Sequence, residues 1–378
     1  MGSTYQLAVS VLDGNRRIAL LEGDKLLEYY QEEAEDTGIV GSLYLGRVER
    51  VLPDIKAAFV KIGLKQNGFL PIKESESFHR DNPGSALMSG HDIIVQVKKA
   101  PKGNKGAFLT RDIALPGQYV LLMPCNRFVG LSKRIEDEHD RIRGKKLGEK
   151  VAQGRFGVIV RHAALYVSDA DVVNEAEVLW QRWIEIEQKA SFRKAPAVLY
   201  SEAGMTEVLQ RDYSARHNIE FIDNNERWPS HFIDNQLEEA LGRRVALPGG
   251  GTLVIDEREA LQTIDVNTGC TVTAEYGLSL ALEENLRAVP EIARQIRLRN
   301  LSGIIIIDFI DMDTEEERNL VLRSFEEAIA EDRVKNVIHG FTRLGLLEMT
   351  RKRTRESLRD LLTVPCAHCS ESGRVVRD

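Results

Sequence analysis

Five short β-forming runs follow one another between Ser42 and Ile113: SLYLGRVERVL, AAFVKIG, NGFLPIK, DIIVQVKK and GAFLTRDI. In an open sheet, strands this short would leave unpaired edges. Closing on themselves removes those edges, so the spacing predicts a small barrel. The stretch SESFHRDNPGSALMSG reads as an insertion loop within it. Barrels of the OB type hold single-stranded nucleic acid by stacking bases on aromatic side chains over a basic groove. Phe59 and Phe69 fall on consecutive runs, and Lys105 sits in the glycine-flanked loop GNKG, in reach of a phosphate. Core burial is the commoner fate of a strand phenylalanine; the neighbouring Lys98, Lys99, Lys102 and Arg111 shift the reading toward RNA.

The rest of the chain mixes both element types. Residues 5–31 read as a hairpin, YQLAVSVL and RIALLEGDKLLEYY, turning at Asp13-Gly14-Asn15. A charged helix is predicted across DEHDRIRGKKLGEKVAQG and a strand at FGVIVRHA. A helix over about 173–190 follows, with Val173, Ala176, Leu179, Trp180 and Trp183 on one face. Short strands flank a helix in 195–222, and residues 237–267 read as a helix, a strand and a strand pair. LSLALEENLRAVPEIARQIRLRN is helical on both sides of Pro290, where a break or kink is expected. IIIIDFIDM reads as a buried strand, and TEEERNLVLRSFEEAIAEDR as an amphipathic helix capped by Thr314 or Asp313. One last strand, GLLEMTRK, precedes a short helix and a CxxC tail. At 378 residues the chain exceeds what one core organises, so an α+β multidomain protein is expected.

No stretch approaches the roughly 18–20 apolar residues of a membrane span. The N-terminus lacks a basic start followed by an apolar run, so a cytoplasmic protein without a membrane partner is expected. The net charge of −7 argues against bulk polyanion binding. Phosphate affinity follows local patches, however, and a second one gathers Arg343, Arg351, Lys352, Arg353, Arg355 and Arg359. Either patch reads equally well as a solvated face.

Two aspartates stand where an apolar run meets a polar turn: Asp265 ends ALQTID and Asp308 ends GIIIID. On neighbouring strands, about 5 Å apart, they would share one Mg²⁺, an ion that favours a few carboxylates plus water and phosphate oxygens. Asn267 falls two residues on, hence on the same strand face, and Asp311 is a weaker candidate. An aspartate after a strand is more often a cap or turn residue. No Ser–His–Asp or Cys–His arrangement competes with the acidic pair.

Of four cysteines, Cys125 and Cys270 are isolated, whereas Cys366 and Cys369 form CAHC. Structural zinc takes four ligands, and CAHC offers two thiolates, with His368 poorly placed as a third ligand; a second copy of the chain could supply the missing pair. An unliganded or redox-active CxxC is the alternative.

Several strings, in order and spanning about residues 37–375, resemble the ribonuclease E/G family: AAFVKIG, NGFLPIKE, GNKGAFLT, LQTIDVNTG, EIARQIRLRNLSGIIIIDFIDM, TRLGLLEMTRKR and CAHCSESG. The resemblance implies an RNase H-like subdomain (residues 1–35 and 206–250) with an inserted S1-type OB β-barrel (36–116) and a 5′-sensor region (117–205). A DNase I-like α/β catalytic subdomain (251–362) and a CxxC zinc-link tail (363–378) would follow. By motif, it makes Asp265 and Asp308 the Mg²⁺-holding carboxylates and Asn267 their catalytic neighbour. Phe59, Phe69, Lys105 and Arg343 become RNA-binding residues, Arg161 and His162 a 5′-phosphate pocket, and Cys366 and Cys369 the ligands of a Zn²⁺ shared by a homodimer. The implied activity is Mg²⁺-dependent endonucleolytic hydrolysis of single-stranded RNA in rRNA processing and mRNA decay. A non-catalytic RNA-binding or regulatory protein on the same scaffold is the alternative.

Departures from the family pattern are expected to matter. His162 stands where a threonine is usual, the segment between Asp223 and Leu237 is short, and Pro290 interrupts a helix that is normally continuous. Little sequence follows CAHC, which suggests a compact, ribonuclease G-like or divergent member.

Overall fold

The computed structural model describes residues 4–33, 39–75, 87–101, 105–135, 137–202, 204–214, 217–223, 230–269 and 279–364. The chain forms two compact units, Met1–Gly2 with Glu32–Ile219 and Ser3–Gln31 with Glu220–Asp378. Its class is α+β, as expected.

The chain begins with an antiparallel meander, β1 (Thr4–Leu12), β2 (Asn15–Glu22) and β3 (Lys25–Glu33). The single run expected over RIALLEGDKLLEYY is two strands, because Gly23 takes φ 54° and turns the chain at Gly23-Asp24.

The five barrel runs become β4 (Leu43–Leu52), β5 (Ala57–Lys61), β6 (Gly68–Pro71), β7 (Asp92–Lys99) and β8 (Phe108–Thr110). Their order β4-β5-β6-β8-β7 closes through β4–β7 pairing, from Leu43↔Gln96 to Arg47↔Asp92. Val48, Val60, Leu70, Val95, Val97 and Leu109 fill the interior. The loop expected between β6 and β7 falls largely outside the described residues.

Next come β9 (Leu115–Pro116), β10 (Val120–Met123), β11 (Val129–Leu131), α1 (Glu138–Ala152), β12 (Gly157–Val160), a 3-10 turn at His162–Tyr166, and α2 (Asp169–Phe192). The strands order as β11-β12-β10-β9, and the apolar faces of both helices share their core. Asp137 and Ser168 cap the two helices by accepting the backbone N–H groups of Asp140 and Asp171. β13 (Ala197–Tyr200) adds to β4, and α3 (Met205–Tyr213) follows.

In the second unit β14 (Asn218–Asp223) lies beside β1, and α4 (Ser230–Leu241) packs on that sheet through Ile233, Leu237 and Ala240. The remaining elements are β15 (Arg244–Ala246), β16 (Thr252–Glu257), β17 (Gln262–Asn267), α5 (Leu280–Leu298), β18 (Gly303–Asp308), α6 (Glu315–Ile329), β19 (Asn336–Phe341), β20 (Leu347–Arg351) and α7 (Leu358–Leu362). Their sheet runs β15-β16-β17-β18-β20-β19, with α5 and α6 covering one face.

Three expectations need correction here. α5 passes through Pro290 as one helix without a break: the ring lies on the exposed side, where the carbonyl that the missing N–H leaves is open to solvent, while Val289, Ile292 and Ile296 hold the other side in the core. β18 is half-buried rather than buried, with Ile305 and Ile307 inside and Ile304 49% exposed on an open face. β19, in NVIHGF, is an edge strand that the sequence reading missed; its polar and glycine positions blunt the alternation. Thr314, not Asp313, caps α6 in a full capping box with Glu317. Among the described residues no helix is long and apolar enough to cross a membrane.

Candidate active site and nucleic-acid interface

β17 and β18 are the two central strands of their sheet and run parallel. Parallel neighbours need a long crossover, which α5 supplies on the buried face, so both strands end at the same sheet edge. Their register, Gln262↔Ile305 through Asp265↔Asp308, sets the two aspartates directly side by side. Adjacent strands lie about 4.7–4.9 Å apart. Alternation sends Ile264, Val266, Ile305 and Ile307 into the core and leaves Asp265, Asn267 and Asp308 on the open face. Asn267 Nδ2 donates to Asp265 Oδ2 at 2.9 Å, which orients that carboxylate.

Partial burial, then the negative charges of Asp265 and Asp311, hold the Asp308 carboxyl above the usual carboxylate range. Two like charges packed this way are relieved by a cation. Hard carboxylate oxygens beside an open face are the donor set that Mg²⁺ takes, with its remaining positions left for water and phosphate oxygens. The loop after Asp308 is pinned from beneath. Buried Asn285 of α5 donates to Ile310 O at 2.8 Å and accepts from Ile310 N at 2.9 Å.

Arg343 lies exposed in the β19–β20 hairpin loop. Because Leu347 pairs with Ile307, that loop projects from the edge where Asp308 ends. Arg243 bonds Asp256 through two contacts of 2.6 and 2.5 Å and feels the charge of Asp265. Two members of the second basic patch are withdrawn, while Lys352, Arg353 and Arg359 stay exposed. Arg351 is buried, bonded to Asp332 at 2.6 Å and to Asn300 at 2.7 Å, and the Arg355 guanidinium stacks 4.1 Å from the Tyr30 ring centroid. Both cations serve the fold, because each is matched to an internal partner.

On the barrel, Phe59 and Phe69 are register partners and stay outside its interior, half-exposed, with centroids 6.0 Å apart. Phe108 extends the row at 6.0 Å from Phe69, and Lys99 Nζ lies 5.7 Å from the Phe108 centroid. The sequence reading missed Phe108, although it stands in the quoted string GAFLT, because its alignment with Phe69 depends on the β6–β8 pairing. Gly106 lies so close to the Asn67 carbonyl that a Cβ would come within 1.9 Å of its oxygen, and this holds exposed Lys105 beside the start of β6. The first basic patch also shrinks: Lys98 pairs with Glu74 at 2.8 Å and Arg111 is buried.

Arg161 and His162 sit together at the start of the 3-10 turn. The Arg161 guanidinium donates to Gly117 O at 2.6 Å and to Asp212 Oδ1 at 2.8 Å, while His162 contacts the Tyr166 hydroxyl at 3.3 Å. Cys366, His368 and Cys369 lie outside the described residues.

A family model described as Ribonuclease E/G family matches residues 114–229 and 214–354. The chain belongs to the ribonuclease E/G family. It is 37% identical to ribonuclease G of Escherichia coli (strain K12) over 413 residues, which covers 98% of this chain and 84% of that protein. Ribonuclease G of Haemophilus influenzae is 38% identical over 412 residues. Ribonuclease E of Nostoc sp. (strain PCC 7120) is 35% identical over 375 residues, covering 89% of this chain and 55% of that protein. The family match spans the strands that carry Asp265 and Asp308, so the paired carboxylates lie in the part of this ribonuclease E/G chain that defines its kinship.

Proposed function

We propose that this chain, an endoribonuclease of the ribonuclease E/G family, cleaves single-stranded RNA at the open edge of β17 and β18. The observation that carries the reading is the register pairing of Asp265 with Asp308 on one solvent-facing sheet surface. Asp265 and Asp308 would hold Mg²⁺, which when bound supplies charge neutralisation at the scissile phosphodiester and a more acidic water. Asn267 keeps Asp265 turned toward that ion through its 2.9 Å hydrogen bond. Arg343 engages the phosphate from the hairpin loop. Phe59, Phe69 and Phe108 stack bases, and Lys99 and Lys105 meet the adjoining phosphates.

In this reading the meander with residues 206–250 is the RNase H-like part, 36–116 the S1-type OB barrel, 117–205 the 5′-sensor region and 251–362 the DNase I-like catalytic part. Arg161 and His162 receive a 5′-monophosphate, which must draw the Arg161 guanidinium from Asp212. Cys366 and Cys369 of residues 363–378 share Zn²⁺ with a second copy. The products carry a 5′-phosphate on the downstream fragment, the preferred sites are A/U-rich, and the tasks are rRNA processing and mRNA decay in the cytoplasm.

The test is incubation of the pure protein with a labelled single-stranded oligonucleotide in Mg²⁺ or EDTA, with 5′-monophosphate and 5′-hydroxyl substrates side by side. Metal-dependent fragments that vanish in an Asp265→Asn, Asp308→Asn double variant are expected. Near-normal cleavage by that variant defeats the assignment. Retardation without fragments in the wild type supports a non-catalytic binder instead.

A further inference from the structure

Helix α1 carries a cationic stripe that neither the barrel nor the carboxylate site uses. At 3.6 residues per turn, His139, Arg143, Lys146 and Lys150 fall within one narrow face, with buried Leu147 at its edge and buried Gly148 on the opposite side. No acidic residue of the helix shares that face: Glu138 and Glu149 lie round the side, and Asp140 lies toward the core edge. His139, Ile142, Arg143, Lys146, Leu147, Lys150 and Asp169 line a surface cavity of about 380 Å³. That volume is within the range of roughly 300–1,000 Å³ typical of small-ligand sites.

Two acidic groups temper the charge. Asp169, at the start of α2, bonds Lys150 at 3.0 Å, and Asp137 stands with Asp140 beside His139 at the helix start. Arg143 and Lys146 remain to set the sign in the middle of the stripe.

The stripe continues into an aromatic. Arg143 Nη1 donates to Leu165 O at 3.3 Å, tying the helix to the 3-10 turn that ends in Tyr166. Tyr166 is 61% exposed and makes a T-shaped contact with the His162 ring, centroids 5.2 Å apart. Cations in a row beside an exposed aromatic ring form the combination that binds single strands: phosphates follow the charge and a base stacks on the ring.

We propose that the α1 stripe of Arg143, Lys146 and Lys150, together with Tyr166, is a second contact surface for single-stranded RNA, distinct from the barrel aromatics. The inference rests on the ribonuclease reading of the chain and names a further part of its substrate surface. The phosphates pass along the helix and one nucleotide base lies on Tyr166. This places an added stretch of RNA next to the turn that carries Arg161 and His162.

The experiment measures binding of a fluorescent single-stranded oligonucleotide to the full chain in EDTA, so that no cleavage intervenes, across a series of salt concentrations. A Lys146→Glu, Lys150→Glu variant should bind more weakly and lower the slope of log affinity against log salt by about 1.4, at roughly 0.7 per phosphate contact on a single strand. Tyr166→Ala should weaken binding several-fold without changing the slope, and Tyr166→Phe should restore it. Thermal unfolding checks that each variant is folded; where the double variant is not, Lys146→Gln gives a slope loss of about 0.7. Wild-type slopes and affinities in folded variants overturn the inference while leaving wild-type cleavage, and the ribonuclease reading, intact. A wild type that neither binds nor cuts RNA defeats that reading first. Equal affinity for poly-aspartate, with no loss from Tyr166→Ala, would show a surface that reads charge alone and would also overturn the assignment.

Discussion

Asp265 and Asp308 are direct register partners on neighbouring parallel strands, although the whole of helix α5 lies between them in the chain. Asp308→Asn should lower Mg²⁺-dependent cleavage by at least roughly 10²-fold, the scale on which a preorganised charged group contributes to a transition state. Affinity for RNA in EDTA should change little, because the barrel residues are untouched. Oligonucleotide cleavage and fluorescence anisotropy measure the two effects; an equal loss in both would refute the division of labour.

Phe69 is the middle ring of the Phe59–Phe69–Phe108 row. Base stacking on an aromatic is worth about 1–3 kcal/mol by alanine substitution. Phe69→Ala should therefore weaken RNA binding roughly 5- to 150-fold by that range, with a larger effect than on thermal stability. Unchanged affinity would mean that the row serves the barrel alone.

Asn285 bonds both backbone groups of Ile310. Asn285→Ala leaves a buried donor and acceptor unmatched, at about 1–3 kcal/mol for such a group. The loop behind Asp308 should then loosen, so that kcat falls more than RNA affinity. Urea unfolding and steady-state kinetics measure the pair of effects. Lost stability with unchanged kcat would limit Asn285 to the fold.

Arg351 and Asp332 are 3% and 1% exposed and form a buried ion pair of 2.6 Å. Removing one partner of such a pair costs about 3–5 kcal/mol through the charge left behind. Asp332→Ala and Arg351→Met should each lower the urea midpoint sharply, because each leaves the other partner's charge buried and unmatched, and the double variant should recover part of the loss. A double variant as destabilised as the sum of the two single ones would argue against a desolvated charge as the cause.

Burial holds the Glu257 carboxyl above its ordinary value, against the opposing pull of Arg299 and Arg359. The folded state then binds this proton more tightly than the unfolded chain does. The resulting stability is fully present below the ordinary value of 4.5 and is lost as pH rises through the raised value. Glu257→Gln removes this dependence, so its stability relative to the wild type should be better at pH 8 than at pH 4. Denaturation at both pH values checks the sign; a constant difference would contradict it.

Features decided by neighbouring residues are legible in the sequence. The five barrel runs, the start of α6 at Asp313-Thr314 and the shared face of Asp265 and Asn267 follow from alternation and capping chemistry alone. Where several weak signals compete, local reading fails. Gly23-Asp24 sits inside one long apolar-rich run, NVIHGF lacks a clean alternation, and Pro290 says nothing of which side of its helix faces water.

Sequence by itself determined which residue types were available and the family to which they belong: two aspartates closing apolar runs, a barrel with phenylalanines, and the motifs in their order. Only the tertiary structure decided which of them meet. It aligned Asp265 with Asp308 through a parallel pairing and added Phe108 to the aromatic row. It also withdrew Arg111 and Arg351 from the basic patches by burying them. The physical reason is that register and burial are set by contacts between distant segments, which no run of neighbouring residues encodes.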